Sequence, residues 1–434
     1  MSYLELFAEE ARVLRETFFP QLGFNGPSNP LLISGASARY IRLSKPGEAP
    51  LAITKFRLFR AARDGYVSID IPSCSIWIGN PVDGFNFDGQ YEALLSGNDP
   101  TLLSTAQSGL PIITFDLGQE VKFDRLQICA QIGYSAHHAW GIKIEVSSDG
   151  EAWRTHYDGN GRVSEYRRLL LSRAGQGDNP QTAAHRLVFA RAIASFFETG
   201  VVDPKDVRTE ASKFGLSEEH YRSVIKELNA RFVHPYEREV TVHGIKRSFR
   251  FWSNSEKQGY LRHCNEIIDA LSAAGIECSL GYGAVLGLIR GRDFIPHDDD
   301  LDIIAIFDQS VAHSFPLALS ILSSALAKSK FNVTGNHIAH RWVSKAGVSF
   351  FCDVFVGIKE GDFISFLPGP RREIHYADVF PPLKTKIFGH ECPIPRNPFA
   401  YLEKVYGPHW ETPIPGWNHS WKTDDFKDLM GSAA

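Results

Sequence analysis

The chain has 434 residues, 43% hydrophobic and 22% charged, with a formal net charge of -4. That length predicts two domains, each able to bury a core, and the composition is that of a folded chain rather than a disordered one. The slightly acidic balance argues against a general nucleic-acid binder, which carries a basic surplus.

Residues 3–19 predict an amphipathic helix, with Leu4, Phe7, Ala8, Ala11, Leu14 and Phe18 on one stripe. The Pro/Gly/Asn stretch Phe24–Pro30 ends this N-terminal segment, 1–30. Glu5, Glu9, Glu10 and Arg12 exclude a signal peptide. No uncharged stretch approaches the ~20 apolar residues of a membrane span. From 31 to 173 short alternating runs such as Ile112–Phe115, Leu126–Cys129 and Ile142–Val146 lie between turn signals, including Asp149-Gly150. They predict a β-sandwich.

Ala174–Pro180 reads as a linker, and residues 174–239 as a helical connection. Within it Ser217 starts a helix striped by Tyr221, Val224, Ile225, Leu228 and Phe232. Residues 240–434 form the second domain. A helix carrying Tyr260, Leu261, Cys264, Ile267, Ile268 and Leu271 stops at Gly275, and a strand at 276–280 follows. Further on, the pattern predicts a helix at 316–327 and strands at 338–343 and 348–356. The fold class expected is α+β, a β-sandwich followed by a mixed α/β domain. The six cysteines form no CxxC pair and sit mostly in apolar runs. They read as reduced core thiols, which favours a cytoplasmic protein, or one peripheral at the inner membrane face.

The densest chemistry is Asp298-Asp299-Asp300-Leu301-Asp302, followed by the apolar run Ile303–Phe307. Clustered carboxylates are costly unless something positive binds them. Asp300 and Asp302 are two apart, so on a strand they share a face and can hold a hard divalent cation. In front of them, Gly281–His297 supplies a small-residue turn, a short helix and a basic loop. Glycine there lets the backbone approach a phosphate without a Cβ in the way.

Two family resemblances organise these readings. Ile112–Gln119, with its Asp116-Leu117-Gly118, and Ile144–Trp153, with its Ser148-Asp149-Gly150 and Trp153, resemble the discoidin (coagulation-factor 5/8 type C) family. The resemblance implies a jelly-roll sandwich and a glycan- or membrane-binding module. Trp77, Phe85, Phe87, Tyr91, His137, His138 and Trp140 are its candidate sugar-stacking residues. The competing reading is a spacer domain with Trp140 and Trp153 in the core.

Gly283-Ala-Val-Leu-Gly287 through Arg290 to Phe294-Ile-Pro-His297 and Asp298–Ile303 resembles the LicD/fukutin family signature. Phe350–Phe355, Phe380–Lys384, Pro393–Pro395 and Tyr401–Trp410 extend the resemblance to residues 240–415. It implies a nucleotidyltransferase-type fold that moves a phosphate-linked group, such as phosphocholine or ribitol phosphate, from a CDP-linked donor to a glycan or glycolipid. By that resemblance Asp300, Asp302 and Asp353 are the catalytic carboxylates and ligands of Mg²⁺ or Mn²⁺. Gly283 and Arg290 then meet the donor phosphates, with Asp298 and His297 in support. Ala284 and His297 depart from the family's usual Thr and Trp.

Structural readings stand beside these. Asp298 caps the acidic turn, Asp299 is solvated, and Asp353 is paired with a cation. Arg290 or Arg292 balances local charge, and Tyr401, Tyr406 and Trp410 pack a closing helix. His340, Arg341 and Lys345 carry no spacing that assigns them to donor or acceptor. The alternatives to phosphotransfer are a glycan-binding protein with an inactive second domain, or a nucleotidyltransferase acting on another acceptor.

Overall fold

A computed structural model describes residues 2–19, 30–45, 51–71, 74–79, 103–104, 111–130, 141–176, 179–348, 350–414 and 419–431. Two compact units divide the chain, Met1–Lys246 and Arg247–Ala434. Helix and strand are mixed, as the α+β class requires.

The first unit opens with α1 (Tyr3–Phe18), whose Ser2 and Glu5 form a capping box. Its strands are β1 (Pro30–Ser44), β2 (Ala52–Ala62), β3 (Gly65–Ser68), β4 (Ser75–Ile78), β5 (Leu103–Ser104), β6 (Ile112–Ala130), β7 (Lys143–Ser147) and β8 (Arg154–Asp158). They join one sheet through the long strands β1 and β6. The runs Ile112–Phe115 and Leu126–Cys129, expected as separate strands, are the two ends of β6.

Phe56 on β2 is the register partner of Ile128, yet its ring stacks on Phe115 with centroids 3.7 Å apart. Thirteen extended residues span about 43 Å, so β6 doubles back and the sheet packs against itself. Trp77 on β4 is 61% exposed. Trp153 is half-buried, donates to Gly150 O and lies under the Arg42 guanidinium, so it covers a turn rather than filling a core. Phe85, Phe87, Tyr91, His137, His138 and Trp140 lie outside the described residues.

The remainder of this unit corrects the expected linker. Strand character ends at Asp158, not at 173, and four α-helices follow: α2 (Gly159–Ala174), α3 (Pro180–Thr199), α4 (Pro204–Lys213) and α5 (Glu218–Leu228). They share a buried core with α1. Phe19 stacks on Phe197 at 5.5 Å, and Tyr166 donates to Ala11 O. The helices on either side of the Ala174–Pro180 stretch therefore belong to one packed helical layer, with 177–178 outside the described residues. A small hairpin, β9 (Glu239–Thr241) and β10 (Gly244–Lys246), closes the unit.

The second unit begins with α6 (Asn254–Ala273), capped by Ser253 and Glu256. Then come β11 (Glu277–Leu280), α7 (Tyr282–Gly291), β12 (Asp302–Asp308), α8 (Phe315–Lys328), β13 (Asn332–Thr334), β14 (His340–Ser344) and β15 (Phe351–Glu360). β16 (Phe363–Phe366) and β17 (Ile374–His375) extend the sheet. Beyond them lie α9 (Tyr376–Val379), the hairpin β18 (Leu383–Ile387) and β19 (His390–Ile394), and α10 (Pro398–Tyr406).

The main sheet runs β11-β12-β15-β14-β13, with β12 and β15 parallel. Ile303 to Phe307 are all buried, which explains the unbroken apolar run of a strand covered on both faces. No helix among the described residues is long and apolar enough to cross a membrane. All six cysteines are free thiols, and Cys264 and Cys352 lie 3.2 Å apart in this core.

Candidate metal centre

The site forms where the sheet's central strands begin. β12 starts at Asp302, so Asp300 sits on the loop just before the strand and not on it, contrary to the same-face expectation. The parallel register nevertheless sets Asp302 directly beside Asp353 of β15. Ligand atoms of Asp300, Asp302 and Asp353 all lie within 4.8 Å of one another. The chain thus brings together three carboxylates from two segments 51 residues apart in sequence.

Three like charges in a half-buried site repel. Burial, then the charges of Asp300, Asp353 and Asp298, push the Asp302 carboxyl well above the usual carboxylate range. A divalent cation reverses that logic, because it favours every ionised carboxylate it touches. Oxygen-only donors from two or three carboxylates suit a hard ion such as Mg²⁺ or Mn²⁺.

Three buried tyrosines hold the frame. The Tyr260 hydroxyl accepts from Leu301 N at 2.9 Å and donates to Phe351 O at 2.6 Å. It thereby ties the segment bearing Asp300 and Asp302 to the start of β15, two residues before Asp353. The Tyr401 hydroxyl accepts from Tyr282 N at 3.1 Å, and the Tyr282 hydroxyl donates to Leu367 O at 2.9 Å. These bonds fix the first turn of α7, where Tyr282 has φ 39°, a strained value for a bulky residue.

Gly283 lies in that turn against Asp298; a Cβ there would fall 2.5 Å from Asp298 Oδ2. A carboxylate at a helix N-terminus is favoured by the helix dipole. The Asp298 backbone is bonded to Phe249 and Ile295. Gly287 is glycine for close packing, since a Cβ would sit 2.6 Å from Asp293 O.

Arg290 lies two turns from Gly283 on the same helical face, roughly 10 Å along the axis. Burial and the charges of Tyr401, Asp302 and Asp298 raise the Tyr406 hydroxyl, and Arg290 opposes that rise. Arg290 and Tyr406 therefore stand within the field of the carboxylate cluster. His297 is exposed, Asp299 half-buried, and Ala284 fully buried in the core.

Residues 275–397 match the family described as LicD/FKTN/FKRP, nucleotidyltransferase domain.

The triad, Gly283, Arg290, His297 and Asp298 all fall inside the matched stretch; Tyr401 and Tyr406 lie beyond it. No curated protein matches the chain. Similar solved structures include the crystal structure of ANT(2″)-Ia in complex with adenylyl-2″-tobramycin, at 13% identity over 39% of this chain and 84% of that one, TM-score 0.25. A solution structure of the antibiotic-resistance factor ANT(2″)-Ia matches at 14% identity over 38% of this chain and 77% of that one, TM-score 0.25.

Sequence reasoning missed Tyr260 and Tyr282. Tyr260 lies in an ordinary apolar stripe and Tyr282 between two glycines, and a buried tyrosine hydroxyl that bonds distant backbone leaves no spacing signal. Tyr401 reads correctly as a packing residue, but its hydroxyl also fixes the entry to α7.

Proposed function

We propose that the second domain, residues 240–434, transfers a phospho-substituent from a CDP-linked donor to a hydroxyl of a surface glycan or glycolipid and releases CMP. The substituent is phosphocholine, ribitol phosphate, glycerol phosphate or a similar group. The observation that carries this reading is the convergence of Asp300, Asp302 and Asp353 inside a LicD-type domain.

These three residues would hold Mg²⁺ or Mn²⁺. A dication held there would supply charge neutralisation for the donor's phosphates. Gly283 and the first turn of α7 let the phosphates approach the backbone, and Arg290 binds them by charge-assisted hydrogen bonds. One carboxylate of the triad takes the proton from the acceptor hydroxyl as its oxygen bonds to phosphorus. The P–O bond to CMP breaks in the same displacement. Asp298 and His297 support the loop that carries the triad.

The strand-bearing residues 31–158 act in this proposal as a discoidin-like module that holds the glycan. The protein works in the cytoplasm, peripherally at the inner membrane face where its acceptor is a glycolipid.

The test is a panel of CDP-linked donors scored for CMP release with Mg²⁺, Mn²⁺ or a chelator. Metal-dependent release that disappears in Asp302→Ala supports the proposal. A protein that binds no divalent cation and turns over no donor, with or without acceptor, overturns it. Nucleotide found attached to the acceptor identifies a nucleotidyltransferase instead.

A further inference from the structure

Beside the triad lies an aromatic surface, joined to it at His340, whose Nε2 stands 3.6 Å from Asp353 Oδ2. On β14, Trp342 is the register partner of Asp353, which is itself the partner of Asp302. Residues directly opposite on neighbouring strands share a face, so Asp302, Asp353 and Trp342 form one row across three strands. Strands lie about 4.8 Å apart, which sets the indole one strand beyond the last carboxylate.

Trp342 is 44% exposed, and its ring rests on backbone: a Cβ added to Gly335, where φ is +86°, would meet Trp342 Cε3 at 3.1 Å. The indole is thus supported from below by the β13–β14 connection and open above. Next to it, His340 lies 6.1 Å from Trp342 and 4.6 Å from Phe355. His337 stacks on His340 at 4.2 Å, and Trp421 meets His337 edge-on at 4.9 Å. Trp421 is 40% exposed. The result is a continuous aromatic wall with an open indole at each end.

We propose that this wall is a carbohydrate subsite for the acceptor glycan, with a pyranose ring on Trp342 beside the triad and Trp421 at its far end. The C–H face of a pyranose complements the negative face of an indole, and a supported ring binds with little loss of side-chain freedom. The side of the sheet decides between acceptor and donor. Gly283, Asp298 and Arg290 belong to α7 and the loop entering β12, whereas Trp342 lies on the opposite flank, beyond β15. Attacking and leaving oxygens approach a transferring phosphoryl roughly in line from opposite sides. A donor phosphate met at α7 therefore leaves the β14 flank to the acceptor. This assignment rests on the phosphotransfer reading; the subsite itself does not.

The full chain, saturated with Mg²⁺, is titrated with methyl glycosides of glucose, galactose, N-acetylglucosamine and N-acetylgalactosamine, followed by tryptophan fluorescence and saturation-transfer NMR. At least one glycoside is expected to bind. Trp342→Ala weakens it roughly tenfold, Trp342→Phe retains most of the affinity, and Trp421→Ala, at the far end of the wall, weakens it less. Gly335→Val tilts the indole and weakens binding while Trp342 remains. The Mg²⁺-induced shift in melting temperature stays unchanged in all four variants, which separates the subsite from the triad and reports folding.

The proposal is overturned if no glycoside binds the wild-type chain, if Trp342→Ala binds as the wild type does, or if Trp77→Ala alone removes all binding. Glycoside binding that depends on Trp342, in a protein that turns over no CDP donor, keeps the subsite and rejects the phosphotransfer reading.

Discussion

Asp302 and Asp353 stand directly beside each other on two parallel strands, so the fold itself places like charges together. Nothing in strand packing rewards that pairing. Burial and the neighbouring carboxylates hold the Asp302 proton on well above the usual range. In the metal-free protein the folded state therefore binds more protons than the unfolded state in the window above the normal carboxylate value. Stability falls as pH rises through that window.

The first prediction follows from that sign. Metal-free protein melts at lower temperature as pH rises, and Mg²⁺ restores more stability at alkaline than at acid pH, because binding must displace the proton. Asp302→Asn removes a charge from the cluster, so it raises the metal-free melting temperature and abolishes the Mg²⁺-dependent shift. Transfer activity falls by more than about 100-fold, beyond the effect of losing a supporting contact. Thermal melts across pH, with Mg²⁺ and with chelator, check the stability outcomes, and a CMP-release assay checks the loss of transfer. Identical melts for the wild type and the variant count against the assignment.

A second prediction concerns Tyr260, whose hydroxyl joins Leu301 to Phe351. Tyr260→Phe keeps the ring in its fully buried slot and leaves a buried N–H and a buried C=O without that partner. The expected cost is about 2 kcal/mol. Asp300 and Asp302 also lose one tie to the β15 segment, with the bond from Asp353 N to Leu301 O at 3.3 Å remaining, so Mg²⁺ affinity falls by roughly tenfold. Chemical denaturation and Mg²⁺ titration measure the two effects separately. A variant that loses stability with unchanged Mg²⁺ affinity shows Tyr260 to be a packing residue alone.

Much of this was legible in the sequence because it depends on period or local chemistry. The stripe Tyr260, Leu261, Cys264, Ile267, Ile268 and Leu271 gives the helix α6, and the Asp298–Asp302 cluster gives the metal segment. What failed depends on tertiary folding. β6 reads as two strands because Gly118, at φ +76°, interrupts the pattern, while pairing with β1 carries the strand through. Residues 174–239 read as a connection because stripes on several short helices do not reveal that they bury one another. Trp342 is absent from the candidate residues because only the register with Asp353 brings it to the site.

The glycines of α7 give a third prediction, in which position decides the sign. Gly287→Ala sets a Cβ 2.6 Å from Asp293 O, a backbone atom, and costs about 1–3 kcal/mol. Gly283→Ala sets one 2.5 Å from the Asp298 carboxylate, which a side chain can relieve by turning. It lowers activity more than stability, because the turned carboxylate leaves the first turn of α7. Gly291→Ala meets nothing within 4 Å and gains helix propensity of up to about 1 kcal/mol. Melting temperatures in the order Gly291→Ala, Gly283→Ala, Gly287→Ala, highest first, are the expected result; any other order rejects this account of the helix.

At the far end of β15 from the triad, Glu360 supplies a fourth prediction. Its side chain is 4% exposed. Burial pushes its carboxyl up, but hydrogen bonds from Arg371, Arg372 and Ser365 outweigh this and bring it down to about 2, from a usual 4.5. Arg371 also binds Asp428, so the same cluster anchors the C-terminal segment to the strand that carries Asp353. In the window between those two values the unfolded chain binds more protons than the folded one. The contribution is therefore complete above pH 4.5 and is lost as pH falls through about 2. Glu360→Gln removes the charge, costs about 2 kcal/mol at neutral pH, and flattens the acid limb of the stability curve. Urea denaturation of both proteins at neutral pH and through the acid window checks this. Curves that stay parallel down to the acid limit would place the acid sensitivity elsewhere.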